Sequence, residues 1–153
     1  MKRPRDPAFV VRRARPADLP QVANLLSELS AQPLTTRGAA NRLALITGDP
    51  EQDLFVACAD REVAGVLGFR IRHNIEEVSR FGEVSVLVVA RKWRKRGVAR
   101  ALLERADVLA RRRRCVGLWL VSGWGREASA HKFYRHLGFE ETGVRFVRLF
   151  DEQ

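Results

Sequence analysis

Residues 94 to 100 read R-K-R-G-V-A-R, four cations around a glycine, and an apolar helical pattern follows to about Arg112. A helix N-terminus is already positive, because its first N–H groups lack partners and its peptide dipoles align. Cations gathered there imply an anion that the sequence itself does not contain. At such a turn, backbone N–H groups converge on phosphate oxygens, Gly97 permits close approach of the main chain, and the neighbouring cations neutralise the remaining charge. The chemistry implied is the holding of a phosphate ester. The spacing is neither the G-x-x-x-x-G-K-[ST] of a nucleotide-hydrolysing loop nor the G-x-G-x-x-G of a dinucleotide fold. It is R-x-x-G-x-A, at Arg94, Gly97 and Ala99.

The elements that must position this turn follow from periodicity. "FVVRRA" reads as a short strand, and "RPADLPQVANLLSELS" as an amphipathic helix with apolar positions at Leu19, Val22, Leu25, Leu26 and Leu29. "TTRGAANRLALITGD" reads as a second helix, opened by Thr35 or Thr36 and stopped at "GDP". The period then changes to two: "DLFVACA" and "EVAGVLGFRIRH" form a hairpin turning at Asp60-Arg61. "FGEVSVLVVA" is a nearly unbroken apolar strand, as expected where both faces are covered. A helix from about Gly97 to Arg112, the strand "VGLWLVS", the helix "AHKFYRHL" ended by Gly138, and a closing hairpin of "FEETG" and "VRFVRLF" complete the order. The pattern predicts an α/β fold, a mixed but mostly antiparallel sheet covered by helices.

Two segments carry a resemblance. R-x-x-G-x-A after a strand ending "LVV" is similar to the acetyl-coenzyme A signature of the GCN5-related N-acetyltransferases (GNAT), and "AHKFYRHLGF" at 130 to 139 resembles that family's second signature, A-x-x-x-Y-x-x-x-G-F. "VVRRARPADLPQVANLL" also looks like the family's usual opening, so the likeness spans about residues 9 to 150. It implies a twisted sheet of about seven strands flanked by about four helices, in one domain at 9–153 preceded by a basic tail at 1–8. "IEEVSRFGEVSVLVV", "AHKFY" and "VRFVRLF" look most like the branch containing aminoalkylphosphonate N-acetyltransferases.

The resemblance implies acetyl-CoA as cofactor and direct transfer of its acetyl group to a primary amine. Arg94, Lys95, Arg96, Gly97, Val98, Ala99 and Arg100 would wrap the pyrophosphate, while Leu87, Val88 and Val89 would offer a strand edge to the pantetheine arm. Side chains of that strand also pack the core, and the two roles are compatible. Phe133 and Tyr134 would lie beside the cofactor, with Tyr134, the single tyrosine of the chain, protonating the leaving sulfur. Packing of the helix on the sheet is the alternative for both. A backbone N–H near Val89 would steady the developing oxyanion.

An alkylammonium must lose a proton before it attacks. Glu83 is the candidate base, an acid in an otherwise apolar strand, and an ion-paired strand residue is its bland alternative. The branch often has a second glutamate where this chain has Val86, which leaves a water chain open as the route. Glu76 and Glu77 stand in the "HNIEEVSR" loop, where they would draw a cationic acceptor such as a polyamine, an aminoglycoside or a lysine-like amine. Cys58 and Cys115 lack an evident partner base, and His73 and His136 lack metal spacing, so neither a covalent intermediate nor a metal is expected. His131 follows Ala130 in the helix and recurs in the branch, where capping or packing of its ring is weighed ahead of catalysis.

Composition sets the remaining bounds. With 28 Lys and Arg against 18 Asp and Glu, the formal net charge is +10, which favours an anionic partner. Nucleic acid is the disfavoured choice, since neither an aromatic-interleaved sheet motif nor a recognition-helix pattern accompanies the arginines. A non-catalytic acetyl-CoA sensor is the other rival. No apolar run is long enough for a membrane span and no secretory signal opens the chain, so a soluble, cytoplasmic protein is expected. The apolar "VRFVRLF" offers an edge for a homodimer.

Overall fold

In the computed structural model the described residues are 9–30, 32–122 and 127–151; the expected basic tail at 1–8 lies outside them. They fall into two compact units that divide between Leu118 and Trp119. One five-stranded sheet has the order β1 (Val10–Arg13), β2 (Gln52–Ala59), β3 (Glu62–His73), β4 (Arg80–Val89) and β5 (Leu118–Trp119). The first four strands pair antiparallel. Val116 N–H donates to Arg80 O at 2.8 Å and Gly82 N–H to Gly117 O at 3.0 Å, so the chain entering β5 runs in the same sense as β4. Asp60, at φ 55°, makes the tight turn between β2 and β3.

The helices cover both faces for reasons written locally. α1 (Leu19–Ser27) presents Leu19, Val22 and Leu25 to the core. Leu29 is exposed, contrary to expectation, because α1 stops at Ser27, whose hydroxyl donates to Ala23 O and accepts from Leu34 N–H. α2 (Thr36–Thr47) starts where Thr35 Oγ1 accepts from Gly38 N–H at 3.0 Å, a side-chain N-cap. Val22 and Leu25 pack with Leu54, Val56, Val66 and Val88 on one face of the sheet. α3 (Val98–Arg112) covers the other face: a Cβ on Gly65 would come within 2.9 Å of Val98 Cγ1, so glycine lets this helix sit close.

Asp18 ties β1 to α1. Its carboxylate accepts from both Arg12 Nη groups at 2.7 and 2.9 Å and from Arg15 N–H at 2.7 Å, and the Arg12 guanidinium foremost holds it below its ordinary value of 3.8. A depressed carboxylate stabilises the fold above its unfolded pKa and loses that contribution as pH falls through the folded one. Asp18→Asn is therefore expected to cost about 2 kcal/mol at pH 7. In denaturant titrations the gap to wild type should close below about pH 4. An unchanged gap there would remove the ion pair from the account.

The second unit contains a π-helical turn, Glu127–His131, running into α4 (Lys132–His136), which ends at Gly138 with φ 89°. Two expectations fail here. The strand expected from "VGLWLVS" is only Leu118–Trp119, and no strand forms among the described residues 139–151, so the sheet has five strands and not about seven. Alternation gave "VRFVRLF" the look of a strand, but a strand exists only with a ladder partner, and Phe146, Leu149 and Phe150 stand exposed.

Candidate active site

The turn from β4 to α3 is built by the backbone. After Val89, a short 3-10 turn at Arg91–Trp93 buries the Trp93 ring and fixes the start of the loop. Lys95 at φ 60° and Gly97 at φ 82° are both left-handed, the alternation that turns successive N–H groups to one side. Gly97 is the N-cap of α3 and has no side chain to satisfy the first-turn amides; Ala101 N–H is bonded back to Gly97 O at 3.0 Å. The first helical N–H groups, from Val98, Ala99 and Arg100, are therefore those left without intrahelical acceptors. Among the described residues, a Cβ placed on Gly97 would meet nothing within 4 Å, so the outer side of the N-cap is open.

The charge around the turn is mostly positive, with Glu28 3.9 Å from Arg94 and Glu62 2.7 Å from Lys92. Arg94, Lys95, Arg96 and Arg100 are exposed, and no acidic residue lies in the first turn of α3. Arg96 stacks its guanidinium 5.4 Å over the Trp93 ring, and Arg94 Nε–H donates to Val89 O at 3.3 Å. Backbone donors, room and cations together fit a diphosphate.

β4 offers its edge as well as its face. On one side Leu87, Val88 and Val89 stand opposite Leu67, Val66 and Gly65 of β3. Ala90 N–H donates to Ala64 O at 2.8 Å, and the alternation of an antiparallel ladder then turns the N–H groups of Val89 and Leu87 to the edge away from β3. β5 ends at Trp119 while β4 continues to Val89.

Two residues before Leu87 the strand bulges. Gly68 pairs with Val86 and Phe69 with Val84, leaving Ser85 as the extra residue, and Gly68 allows it because a Cβ there would lie 2.6 Å from Ser85 Oγ. The bulge floors a cleft of about 280 Å³ between the sheet and α2, walled by Leu26, Leu43 and Ile46 and rimmed by Arg42 and Gln52. Asp53 also lines it, but its carboxylate is held by Arg13 and Arg113, each at 2.9 Å.

Glu83, the candidate base, is buried and ion-paired. It accepts from Arg70 Nε–H and from Arg70 Nη2 at 2.9 Å, and Arg72 Nε lies 3.1 Å from the same carboxylate. Of the two alternatives that the sequence allows, the geometry describes the paired strand residue. Arg70 and Arg72 were not singled out from the sequence, although "FRIRH" places two charges on one face of an apolar strand. Glu76 and Glu77 are exposed in the loop after β3, away from the lining of the cleft; Glu77 accepts from Ser79 Oγ at 3.3 Å. Burial pushes the thiols of Cys58 and Cys115 up, so neither is a ready nucleophile at neutral pH.

Phe133 and Tyr134 belong to the second unit. Both are half-buried, and the Tyr134 ring lies 5.5 Å from that of Phe133 and 5.8 Å from that of Phe139. One turn earlier, His131 Nε2 is buried without a hydrogen-bond partner among the described residues. No helix among them is long and apolar enough to cross a membrane.

A basic strand-to-helix turn that fits a diphosphate, next to a strand edge and a partly apolar cleft, defines an enzyme that takes its transferred group from a coenzyme A thioester. A family model described as the acetyltransferase (GNAT) domain matches residues 50–141, and the chain belongs to that family, whose members are acetyl-CoA-dependent N-acetyltransferases. Solved structures share the fold. The aminoglycoside N-acetyltransferase AAC(6')-Iy, solved with CoA, is 22% identical at a TM-score of 0.83, covering 97% of this chain and 99% of that one. Glucosamine-6-phosphate N-acetyltransferase from Arabidopsis thaliana is 15% identical at 0.81, covering 94% and 99%. An acetyltransferase from Trypanosoma brucei is 23% identical at 0.76, covering 94% and 99%.

Proposed function

We propose that this acetyltransferase moves the acetyl group to a primary amine of a small molecule, by direct attack in a ternary complex. The observation that carries this is the left-handed, uncapped start of α3 at Gly97, open on its outer side among the described residues and flanked by the exposed Lys95, Arg96 and Arg100. Acetyl-CoA, when bound, supplies the activated thioester carbon that the amine attacks.

The chain's own groups divide the work. N–H groups of Val98, Ala99 and Arg100 hold the diphosphate, and the exposed cations beside them lower its charge. Main-chain groups of Leu87 and Val89 hydrogen-bond an amide-bearing arm along the free edge of β4, and the Val89 N–H donates to oxygen as negative charge develops there. The bulge at Ser85 opens the cleft in which the acceptor amine sits. Because Glu83 is engaged by two guanidinium groups, the amine's proton leaves through water in the cleft, and Glu83 serves to hold those groups in place. Tyr134 gives its phenolic proton to the departing sulfur.

Thermal-shift titration should show acetyl-CoA raising the melting temperature in a concentration-dependent way. Thiol release in the presence of an amine panel should then follow. Stabilisation with no turnover of any amine would favour the sensor.

We further propose that the closing segment associates with a second copy. Exposed Val144, Phe146, Val147, Leu149 and Phe150 alternate with Arg145 and Arg148, while Glu140 and Glu141 precede them, so two copies can match apolar and charged positions. Sedimentation equilibrium should give twice the 17.4 kDa chain mass. A monomer at micromolar concentration would remove this edge.

A further inference from the structure

The cleft between the sheet and α2 keeps an apolar surface where water can reach it. Val22 and Leu54 are buried beneath it, while Leu26, Leu43 and Ile46 are half-buried, with one side on the core and the other on the cleft. Gly68 deepens the floor, since a Cβ there would lie 2.9 Å from Val86 Cγ1. A concave apolar surface left open to solvent marks a place where the apolar part of a ligand replaces water. At about 280 Å³, the space is at the small end for a ligand cleft. It takes a short chain or one ring and not a string of linked sugars.

Charge in the lining is one-sided. The charged residues there are Arg42 and Asp53. The Asp53 carboxylate accepts from Arg13 Nε and Arg113 Nη2, each at 2.9 Å, and Arg113 closes α3 on the opposite face of the sheet. Beside the Gln52 rim, the Asp49 carboxylate is taken by Gln52 Nε2 at 2.8 Å and Glu51 N–H at 2.9 Å. Arg42, by contrast, is exposed and has no acidic partner among the described residues. The cleft thus offers a second ammonium no counter-charge and sets a guanidinium against it. Moving an unpaired charge from water to such walls is costly. Ser85 adds a hydroxyl to the lining, a polar contact suited to a single amine nitrogen.

We propose that the acceptor is a primary amine whose body is uncharged and apolar, and that Arg42 at the rim turns away an amine carrying a second ammonium. The proposal rests on the cleft being the acceptor site, and it narrows the small-molecule amine of the acetyl transfer to one class. Leu26, Leu43 and Ile46 hold the apolar body, and Arg42 is a specificity residue. Each methylene buried among them tightens binding about threefold to fourfold.

The test measures binding and turnover separately. Calorimetric titration of CoA-saturated protein would use propylamine, butylamine and pentylamine, together with putrescine and 5-aminopentanoate. The last two share the methylene chain of pentylamine and replace its end methyl by an ammonium and a carboxylate. Affinity should rise about threefold or more per methylene along the alkyl series. Pentylamine should bind about tenfold or more tighter than either charged analogue. Arg42→Glu, at an exposed position, should narrow the gap to putrescine to about threefold or less and leave the alkyl series as steep as before. Ile46→Ser, where it folds, should flatten that series. A flat alkyl series in the wild type, a charged analogue as tight as pentylamine, no binding of any of the five, a putrescine gap that ignores Arg42→Glu, or a steep series in folded Ile46→Ser would each overturn the proposal. Tight putrescine would instead favour the cationic acceptor that Glu76 and Glu77 would draw. Thiol release from acetyl-CoA with the same compounds keeps the two levels apart. Preferred turnover of putrescine leaves acetyl transfer standing and sinks the apolar class, whereas tight pentylamine binding without turnover does the reverse.

Discussion

Gly97→Val is expected to weaken acetyl-CoA binding by about a hundredfold, measured by calorimetry, while the protein remains folded. Two costs combine. At φ 82° a β-branched residue is a genuine outlier, and holding it there costs about 1–3 kcal/mol. The chain relieves that strain by rotating the start of α3, which turns the Val98, Ala99 and Arg100 amides away from their common focus. If the loop instead holds its shape, the new methyl groups occupy the space outside Gly97, which is open among the described residues. In either case the loss falls on the ligand. Because the added Cβ meets no neighbour among the described residues, overall stability should fall by little more than the strain itself. Gly97→Ala, with a smaller side chain at the same φ, should lose about tenfold. Wild-type affinity in both variants would mean that the diphosphate is held elsewhere.

Local signals in the sequence foretold most of what surrounds this turn. Thr35 caps α2, Asp60 turns the hairpin, and Gly97 stands at the head of α3, because each depends on a residue's own backbone preferences or on a partner three positions away. What escaped was non-local. Glu83 reads as a lone acid in β4, and only the register with β3 brings Arg70 opposite and Arg72 beside it. The bulge at Ser85, which opens the cleft, leaves no trace in the alternation of "EVSVLVV" because small and apolar residues suit either register. The closing segment fails in the other direction. Its alternation is that of a strand, yet a strand needs a neighbour to accept its hydrogen bonds, and the sequence contains no statement about where that neighbour is.

Tyr134→Phe is expected to lower turnover by about a hundredfold while leaving acetyl-CoA affinity within about twofold. The substitution removes one oxygen and keeps the ring, so the ring contacts with Phe133 and Phe139 at 5.5 and 5.8 Å survive. A role confined to those ring contacts would therefore show almost no change in rate. A role in protonating the departing sulfur would show a loss in kcat with little in KM, because that proton is needed only as the carbon–sulfur bond breaks. His131, one helical turn earlier, is the competing proton carrier, since its Nε2 is buried with no partner among the described residues. His131→Gln separates the two. If it leaves kcat near wild type while Tyr134→Phe does not, the phenol is the acid. Should the losses appear in the opposite order, the proton comes from the imidazole, and the π-helical turn at Glu127–His131 that sets this ring's position is then part of the chemistry.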